Sequence, residues 1–371
     1  MRKLVKTEEE TLLAEAARGF LDAKAPVQHL RAMRDAGRTR DANLWAEMAD
    51  MGWAGILVPG DHGGVDMGHA AAGVLACEMG KTLAASPFLS TAVIAATALR
   101  QVAETRANEA LEGIAQGALT YGIAVQESRK FDPESAKMPA VADGNGFRLS
   151  GGKTFVVDGS HSDRLLVLAR IEQGPTLLDI PSSREGVNRA ALAMVDSRDA
   201  AHVEFNDVAV SGDEVVGAAG QGLDILAPAL RAGQAALAAE QLGLATGAVD
   251  MTVGYLKERK QFGVPIGGFQ ALQHRAAKMW CEIEVTSSAV LNAGRVLDAD
   301  PEDAALAVSV AKARSTETAV LAVQEGVQMH GGIGMTDEYD IGLYMKRARV
   351  SAEWLGDYGY HARIVARARG F

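Results

Sequence analysis

The chain has 371 residues with a net charge of −10, from 37 basic and 47 acidic side chains. This length predicts two or three domains that need neither disulfides nor structural metal, and the acidic balance argues against nucleic-acid binding. No apolar run approaches the ~20 residues that span a bilayer, and we expect no secretory signal. Cys77 and Cys281 lie far apart without a CxxC motif. A metal site is therefore not expected, and a reducing cytoplasm fits.

Residues 1–118 are rich in Ala, Leu and Glu, which predicts an N-terminal helical domain. Glycine and proline between Gly55 and Gly64 predict a loop. Two further helices are predicted near 65–80 and 87–117.

Residues 119–216 contain many Val, Thr, Gly, Ser and Asp residues and are predicted to form a middle β domain. Leu165 to Ala169 is a short apolar run typical of a buried strand, whereas His202 to Asn206 alternates. The sequence Asp143-Gly144-Asn145-Gly146 predicts a hairpin turn. We count six to eight short strands, enough for a small sandwich or barrel.

Residues 217–371 are predicted to form a C-terminal helical bundle. Leu230, Leu237, Leu244 and Met251 recur every seven residues, as on a bundle helix. A later helix is predicted to begin at Asp300 as N-cap and to end at Gly331-Gly332. The predicted fold class is α+β, with an N-terminal helical domain, a small central β domain and a C-terminal four-helix bundle. A Rossmann site is not expected, because no GxGxxG motif is present.

Two segments could carry chemistry. Residues 259–266 read Arg-Lys-Gln-Phe-Gly-Val-Pro-Ile, in which a cation and an amide beside a Gly-Pro break can bind a phosphate. Residues 328–336 read Gln-Met-His-Gly-Gly-Ile-Gly-Met-Thr, in which glycines allow the backbone to approach a ligand closely. Taken alone, the first segment is better explained as an ordinary helix end and the second as a tight turn between helices.

Taken together and in this order, the two segments resemble the signatures of the acyl-CoA dehydrogenase family. A weaker matching segment is residues 152–159, Gly-Lys-Thr-Phe-Val-Val-Asp-Gly. The resemblance covers nearly the whole chain. It implies FAD as cofactor and an acyl-CoA substrate, with an electron-transfer flavoprotein as electron acceptor. In this chemistry a carboxylate removes the α-proton of the thioester and a hydride passes from Cβ to the flavin, which gives the trans-2-enoyl thioester.

The resemblance also implies specific cofactor contacts, carried over by position. A first group matches residues that contact the FAD of a neighbouring subunit: Arg259, Gln261, Phe262, Gln328, Gly331 and Gly332. A second group matches residues along the flavin ring: Gln126, Phe155 and Val157. A site divided in this way implies an obligate oligomer, such as a tetramer.

The chain departs from the family at the catalytic base. The usual glutamate position is Leu355, and the alternative position on the long helix is Gly233. The acids that remain nearby are Glu353, Asp357 and Glu240. The flavin side departs as well, because Gln126 and Val157 stand where threonine is common.

We therefore expect a flavoprotein subunit whose catalytic base comes from a partner, as in α2β2 members that act on steroid side chains and bulky ring acids. One alternative is a homomeric dehydrogenase that uses Asp357, Glu353 or Glu240. Another is a non-catalytic scaffold without flavin, and a third is oxidase or monooxygenase chemistry. Neither a nucleic acid nor a membrane is an expected partner.

Overall fold

The computed structural model describes residues 4–371, which divide by their internal contacts into two units. The first, the helical unit, comprises residues 4–32, His69–Ala84 and Gln234–Phe371. The second, the sheet unit, comprises Met33–Gly68 and Ala85–Gly233. Each unit thus joins an N-terminal segment to a later one. The longest helix, α7 (Gly222–Glu258), contributes residues to both.

The described residues contain the predicted order of helices, sheet and helices. The α-helices are α1 (Glu8–Lys24), α2 (Val27–Asp35), α3 (Ala42–Asp50), α4 (Gly68–Thr82), α5 (Ala96–Leu99), α6 (Thr105–Ala115), α7, α8 (Gln270–Ala299), α9 (Ala304–His330), α10 (Ile341–Glu353) and α11 (Tyr358–Arg369). The strands are β1 (Tyr121–Ala124), β2 (Ala140–Asp143), β3 (Gly146–Val157), β4 (Arg164–Ile171), β5 (Gly174–Pro181), β6 (Val187–Ala191), β7 (Ala200–Ser211), β8 (Lys260–Gln261) and β9 (Val264–Pro265).

Two boundary predictions were wrong. The single helix predicted over 87–117 is instead a π-helical segment, Phe88–Ala95, continued by α5 and separated from α6 by a turn. At this turn Gln101 Nε2 donates to the Thr97 carbonyl at 2.8 Å and to the Ile225 carbonyl at 3.0 Å, so a side chain takes over from helical hydrogen bonding. The helix predicted to start at Asp300 begins at Ala304, after a 3-10 turn at Pro301–Asp303. Its predicted end at Gly331 is confirmed.

The sheet unit contains one seven-stranded sheet with the order β5-β4-β1-β3-β7-β6, and β2 pairs with β3. Only β1 and β4 run parallel among these pairs. The predicted hairpin turn is confirmed, because Asp143 pairs with Gly146 across β2 and β3. Buried apolar side chains from most of the strands, such as Leu149, Val167 and Phe205, form its core.

The helical unit depends on small residues where its helices meet. Ala235 and Ala238 of α7 pack against Ala293 of α8 and Val308 of α9. Helices α4 and α7 approach even more closely: a β-carbon on Gly243 would overlap the Cys77 carbonyl oxygen, and one on Gly80 would overlap that of Glu240. These two glycines therefore fix the spacing of α4 and α7.

A buried acid pair closes the end of β3 in the sheet unit. The Asp158 backbone N–H donates to the Asp199 carbonyl at 3.1 Å, and Ser90 Oγ donates to Asp158 Oδ2 at 2.5 Å. Ser160 Oγ and the His161 backbone N–H donate to the Asp199 carboxylate. Burial and the neighbouring charge of Asp199 raise the pKa of Asp158 to about 7, although the Ser90 hydrogen bond and the charges of Arg198 and Arg40 oppose the shift.

Asp158→Asn should stabilise the protein by an amount that depends on pH. The unfolded chain loses the Asp158 proton near its usual pKa of 3.8, whereas the folded chain keeps it to about pH 7. Wild-type stability from this group therefore falls as pH rises from about 4 to 7. The gain in melting temperature of the variant should grow over that range and then level off. Asp207→Asn is the matched control, because the Asp207 side chain is 76% exposed. A variant less stable than wild type at every pH would contradict the prediction.

Candidate functional site

The first signature segment forms an exposed hairpin at the end of α7. Strands β8 and β9 pair through Gln261 and Val264, and the two tip residues, Phe262 and Gly263, have φ of 53° and 82°. Arg259, Gln261 and Phe262 are all exposed, and Phe262 is 92% exposed. Side chains that the fold leaves in solvent at a strained tip are free to contact another molecule.

The second signature segment begins where α9 ends. Gly331 has φ 65° and ψ −140°, a conformation that a side chain would strain. Gly332 has no left-handed φ, and a β-carbon on it would meet nothing within 4 Å. Neither backbone conformation nor packing within the described chain therefore explains the glycine at 332. Gln328 is exposed on the same helix end.

An aromatic stack brings the two segments together in the helical unit. The His330 ring lies 4.5 Å from that of Tyr255 and 4.7 Å from that of Tyr339, between centroids. The backbone carbonyl of Tyr255 accepts the Arg259 backbone N–H at 2.9 Å, so the helical turn that carries Tyr255 leads into the hairpin. Gly326 carbonyl lies 2.7 Å from His330 Nδ1, and burial lowers the pKa of His330, so the ring is neutral at pH 7. His330 Nε2 is buried without a hydrogen-bond partner among the described residues.

Helix α2 anchors the loop that follows Gly332. Arg31 donates through Nη1 to the Asp337 carbonyl and through Nη2 to Asp340 Oδ1, both at 2.6 Å. Gln28 Nε2 donates to Asp340 Oδ2 at 3.3 Å. Sequence reasoning missed Arg31, because a charged residue on a short N-terminal helix gives no local sign of a partner 300 residues later.

The flavin-facing candidates all lie in the sheet unit. Gln126 follows β1, and its carbonyl accepts the Thr154 backbone N–H at 2.8 Å, which ties it to β3. Phe155 has φ 50° and is 36% exposed, whereas Val157 is buried. Register shifts in the β3–β7 pairing fall between Lys153 and Val156, and the strained backbone at Phe155 lies in this interval.

A partly buried ion pair ties the residue Glu127, which follows β1, to strand β3 near Phe155. Lys153 is fully buried and donates through Nζ to Glu127 Oε1 at 2.6 Å. Burial alone would raise the pKa of Glu127, but Lys153 and the backbone amides of Lys137 and Met138 together hold it below its usual value. The pair thus fixes the segment after β1 against β3.

Leu355, the position that the resemblance assigns to the family's base, lies in the tight turn between α10 and α11. Leu355 is only 5% exposed and has φ 55°, and Gly356 has φ 104°. Gln234 Nε2 donates to the Leu355 carbonyl at 3.0 Å, and His361 Nε2 lies 3.2 Å from the same oxygen. The side chain at this position is therefore an apolar one, held inside the helical unit.

A buried lysine completes the support of this turn. Lys312 Nζ donates to the carbonyls of Ser351 and Gly356 at 3.2 Å each. Burial lowers the pKa of Lys312 to about 7, and burial followed by the charge of Lys312 lowers that of His361 to about 4. Sequence reasoning did not single out Lys312, although its position four residues after the buried Val308 is a signal that it faces the core.

The three acids considered as substitutes for the base all have structural partners. Asp357 is the N-cap of α11 and accepts the Tyr360 backbone N–H at 2.7 Å. Glu353 ends α10 with a 59% exposed side chain, 3.7 Å from Arg349 Nη2. Glu240 Oε1 lies 3.5 Å from Nη1 of the buried Arg347. The alternative position, Gly233, lies on α7 at the end of the sheet unit's share of that helix.

No group of three His, Cys, Asp or Glu residues in the described chain is arranged to hold a metal ion. No helix among residues 4–371 has the length and apolarity needed to cross a bilayer.

Gln234→Leu should loosen the turn at Leu355. The carbonyl of Leu355 would keep His361 as its only side-chain donor, and loss of a buried hydrogen bond costs about 1–3 kcal/mol. We expect a lower melting temperature. Gln261→Leu is the control, because Gln261 is exposed and its amide donates only to the Lys260 carbonyl. An unchanged melting temperature for Gln234→Leu would show that this hydrogen bond does not hold the turn.

Comparison with protein families gives two matches. The model described as acyl-CoA dehydrogenase, N-terminal domain, matches residues 7–118, and that described as acyl-CoA dehydrogenase, C-terminal domain, matches residues 220–369. Among curated proteins, acyl-CoA dehydrogenase IpdE2 of Mycolicibacterium smegmatis is 31% identical over 353 residues, which cover 94% of this chain and 95% of IpdE2.

Solved structures agree. The Tcur3481–Tcur3483 steroid ACAD, solved as a variant, is 30% identical with a TM-score of 0.87, and the match covers 98% of each chain. The ChsE4–ChsE5 complex from Mycobacterium tuberculosis is 24% identical with a TM-score of 0.91, over 100% of this chain and 99% of the other, and shows the same fold. The chain therefore belongs to the acyl-CoA dehydrogenase family of FAD-dependent oxidoreductases.

Proposed function

We propose that this chain is a base-less subunit of a heteromeric acyl-CoA dehydrogenase, and that a homologous partner subunit donates the catalytic carboxylate. The observation that carries the proposal is Leu355. An apolar side chain occupies the position of the family's glutamate, in a turn held by Gln234, His361 and Lys312. A leucine cannot accept a proton, and the firmly held turn leaves little freedom for a neighbour to replace it.

The bonding of the nearby acids supports the same proposal. Asp357 would have to give up the cap of α11, which is worth about 1 kcal/mol, before it could act as a base. Glu240 would have to leave Arg347, and breaking a buried ion pair costs about 3–5 kcal/mol. Glu353 is exposed at the end of α10. A homomeric enzyme with a relocated base is thus the weaker candidate.

The described residues fit a dinucleotide cofactor. Gly332 leaves open space where a β-carbon would stand, and the exposed Arg259 lies four residues after Tyr255, whose ring stacks on that of His330. Backbone that is open at a glycine, together with a guanidinium, suits the oxygens of a pyrophosphate. We propose that one group of residues contacts the FAD of a neighbouring subunit: Arg259, Gln261, Phe262, Gln328, Gly331 and Gly332. We propose that Gln126, Phe155 and Val157 lie along a flavin ring.

The reaction follows from this division of roles. FAD, when bound, accepts the hydride that leaves Cβ of the acyl group. The partner's carboxylate removes the α-proton. The residues of this chain bind and orient: Arg259 compensates phosphate charge, and the strained β3 segment presents Phe155 as an apolar surface. The tied backbone keeps these groups in place during the reaction.

Assembly with other subunits is part of the proposal. Large apolar side chains are exposed on and beside both signature segments, and the most exposed are Phe262 at 92% and Met335 at 76%. Such exposure is typical of surfaces that another molecule covers. We propose an α2β2 tetramer in the cytoplasm, an electron-transfer flavoprotein as acceptor, and a bulky substrate, in keeping with the steroid ACAD similarity.

Co-expression with a homologue that carries the catalytic glutamate should give a complex that oxidises acyl-CoA. The chain purified alone should bleach its flavin absorbance at least a hundredfold more slowly with acyl-CoA under anaerobic conditions. Asp357→Asn and Glu353→Gln in this chain should leave the rate of the complex unchanged.

Three results would contradict the proposal. Ordinary turnover by the chain alone, lost in Asp357→Asn or Glu353→Gln, would favour the homomeric enzyme. A protein that stays colourless with added FAD and with the partner would favour a scaffold. Substrate-dependent oxygen consumption without another acceptor would favour oxidase or monooxygenase chemistry.

Gly332→Ala should weaken FAD binding at least tenfold without lowering the melting temperature of the flavin-free protein. The new methyl group strains no backbone and meets no atom of this chain, so only a bound molecule can sense it. Gly60→Ala is the matched control, because Gly60, like Gly332, lies in a 3-10 turn and has free space around the position of a β-carbon. FAD binding is measured by quenching of flavin fluorescence. Unchanged affinity would exclude Gly332 from the cofactor contact.

A further inference from the structure

The strained backbone at Phe155 requires contacts that hold it in place. Phe155 has φ 50°, in the left-handed region that an aromatic residue rarely adopts, and its side chain is 36% exposed. The register of β3 against β7 shifts between Lys153 and Val156. Strand β1 is paired with β3 at a single position, Ile123 with Val157. The regular sheet pairing therefore gives this backbone little support, and such a conformation persists only when other contacts impose it.

Two adjacent contacts tie the residues before Phe155 to the segment after β1. The Thr154 backbone N–H donates to the Gln126 carbonyl at 2.8 Å. Lys153 Nζ donates to Glu127 Oε1 at 2.6 Å. Successive residues of β3 thus bind successive residues after β1. Phe155 follows both contacts directly, so its position depends on them.

Glu127 is a fixed anchor for Lys153. The Lys137 backbone N–H donates to Glu127 Oε2 at 2.8 Å, and the Met138 backbone N–H donates to Glu127 Oε1 at 2.9 Å. The carboxylate therefore receives three hydrogen bonds from three different residues. A movement of β3 would have to break the bond between Lys153 and Glu127, because Glu127 is not free to follow.

Fold stability alone gives little reason for a lysine at this position. Lys153 is 0% exposed, and its ammonium group has three N–H donors but one acceptor among the described residues, Glu127. Burial lowers the pKa of Lys153, and Glu127 opposes the shift. An apolar side chain would avoid this desolvation, and apolar replacement of buried ion pairs is often neutral or stabilising.

We propose that Lys153 and Glu127 are positioning residues for the flavin, whose ion pair holds the strained Phe155 where it meets the ring. The inference rests on the proposed function, which places Gln126 and Phe155 along the flavin. Lys153 is fully buried, so it acts through the backbone that leads to Phe155 and not by contact with FAD. An apolar surface that is fixed before the ring binds loses less conformational freedom on binding.

Lys153→Met removes the ammonium group and keeps an unbranched apolar side chain. Glu127 is 23% exposed and keeps its two backbone donors, so the variant leaves no buried charge unpaired. FAD affinity is measured by quenching of flavin fluorescence as flavin-free protein is added. We expect a loss of about tenfold, equivalent to about 1.4 kcal/mol, and a shift of the visible absorption band of the flavin. Glu127→Gln should weaken FAD binding as well.

Thermal melting of the flavin-free protein separates positioning from a structural role. The melting temperature of Lys153→Met should stay within about 4 °C of wild type. A much larger fall would overturn the proposal, because the ion pair would then serve the fold itself. Unchanged FAD affinity and an unchanged flavin spectrum in Lys153→Met would overturn it too.

A double-mutant cycle tests whether Lys153 acts through Phe155. If it does, adding Lys153→Met to Phe155→Ala should lower FAD affinity by less than about twofold, because the ring that the ion pair positions is already gone. Equal losses in the wild-type and Phe155→Ala backgrounds would show that Lys153 acts elsewhere, and the proposal would fail.

Arg184→Met controls for a general loss of order in the sheet unit. Arg184 Nη2 lies 2.6 Å from Glu214 Oε1, and neither residue belongs to β1 or β3. The Glu214 side chain is 2% exposed, so we expect a lower melting temperature with unchanged FAD affinity. A loss of FAD affinity as large as that of Lys153→Met would overturn the proposal, since the effect would then be general.

Failure of this proposal is distinguishable from failure of the proposed function. A wild-type protein that binds no FAD contradicts both. A wild-type protein that binds FAD no more tightly than Lys153→Met contradicts the positioning role alone. None of these measurements requires turnover, so they are independent of the source of the catalytic base.

Discussion

The proposed function of this protein depends on the hydrogen bonds to the carbonyl group of Leu355. Two side chains from different helices, Gln234 and His361, meet at its oxygen, and Lys312 binds the next carbonyl in the turn. These hydrogen bonds hold Leu355 in a left-handed backbone conformation. The fold therefore sets the direction of its side chain. The amino acid at a single position then decides whether the helical unit has its own proton acceptor.

The sequence revealed those features that depend on local chemistry. The end of α9 at Gly331, the turn between Asp143 and Gly146 and the two signature segments all follow from glycine and proline placement and from motif spacing. The interruption after α5 was missed, because the side-chain hydrogen bonds of Gln101 decide it and residue 225 supplies one acceptor. Lys312 was missed because a single lysine in an alanine-rich helix gives no sign of buried carbonyls that lie far along the chain.

The two kinds of site residue differ in what the fold requires of them. Gln234, Lys312 and His361 are buried and hydrogen-bond the carbonyls of the turn at Leu355 and Gly356. Replacing any of them should therefore lower the free energy of unfolding. Phe262 is 92% exposed although its ring lies 6.1 Å from that of Phe269, and a β-carbon on Gly332 would meet no atom of the described chain within 4 Å. A residue that adds nothing to the stability of the fold, at a position where conformation or solvation disfavours it, is expected to contact another molecule.

The exposed tip of the β8–β9 hairpin has a consequence for biosynthesis. The Phe262 ring and the Met335 side chain are largely exposed to water. A newly synthesised protomer is therefore prone to aggregate until another subunit covers them. For the proposed heteromer, yield in a recombinant host should depend on the ratio in which the two chains are translated, and unassembled copies should be bound by chaperones or degraded. Genes for such a pair are expected to be most productive when they are transcribed together.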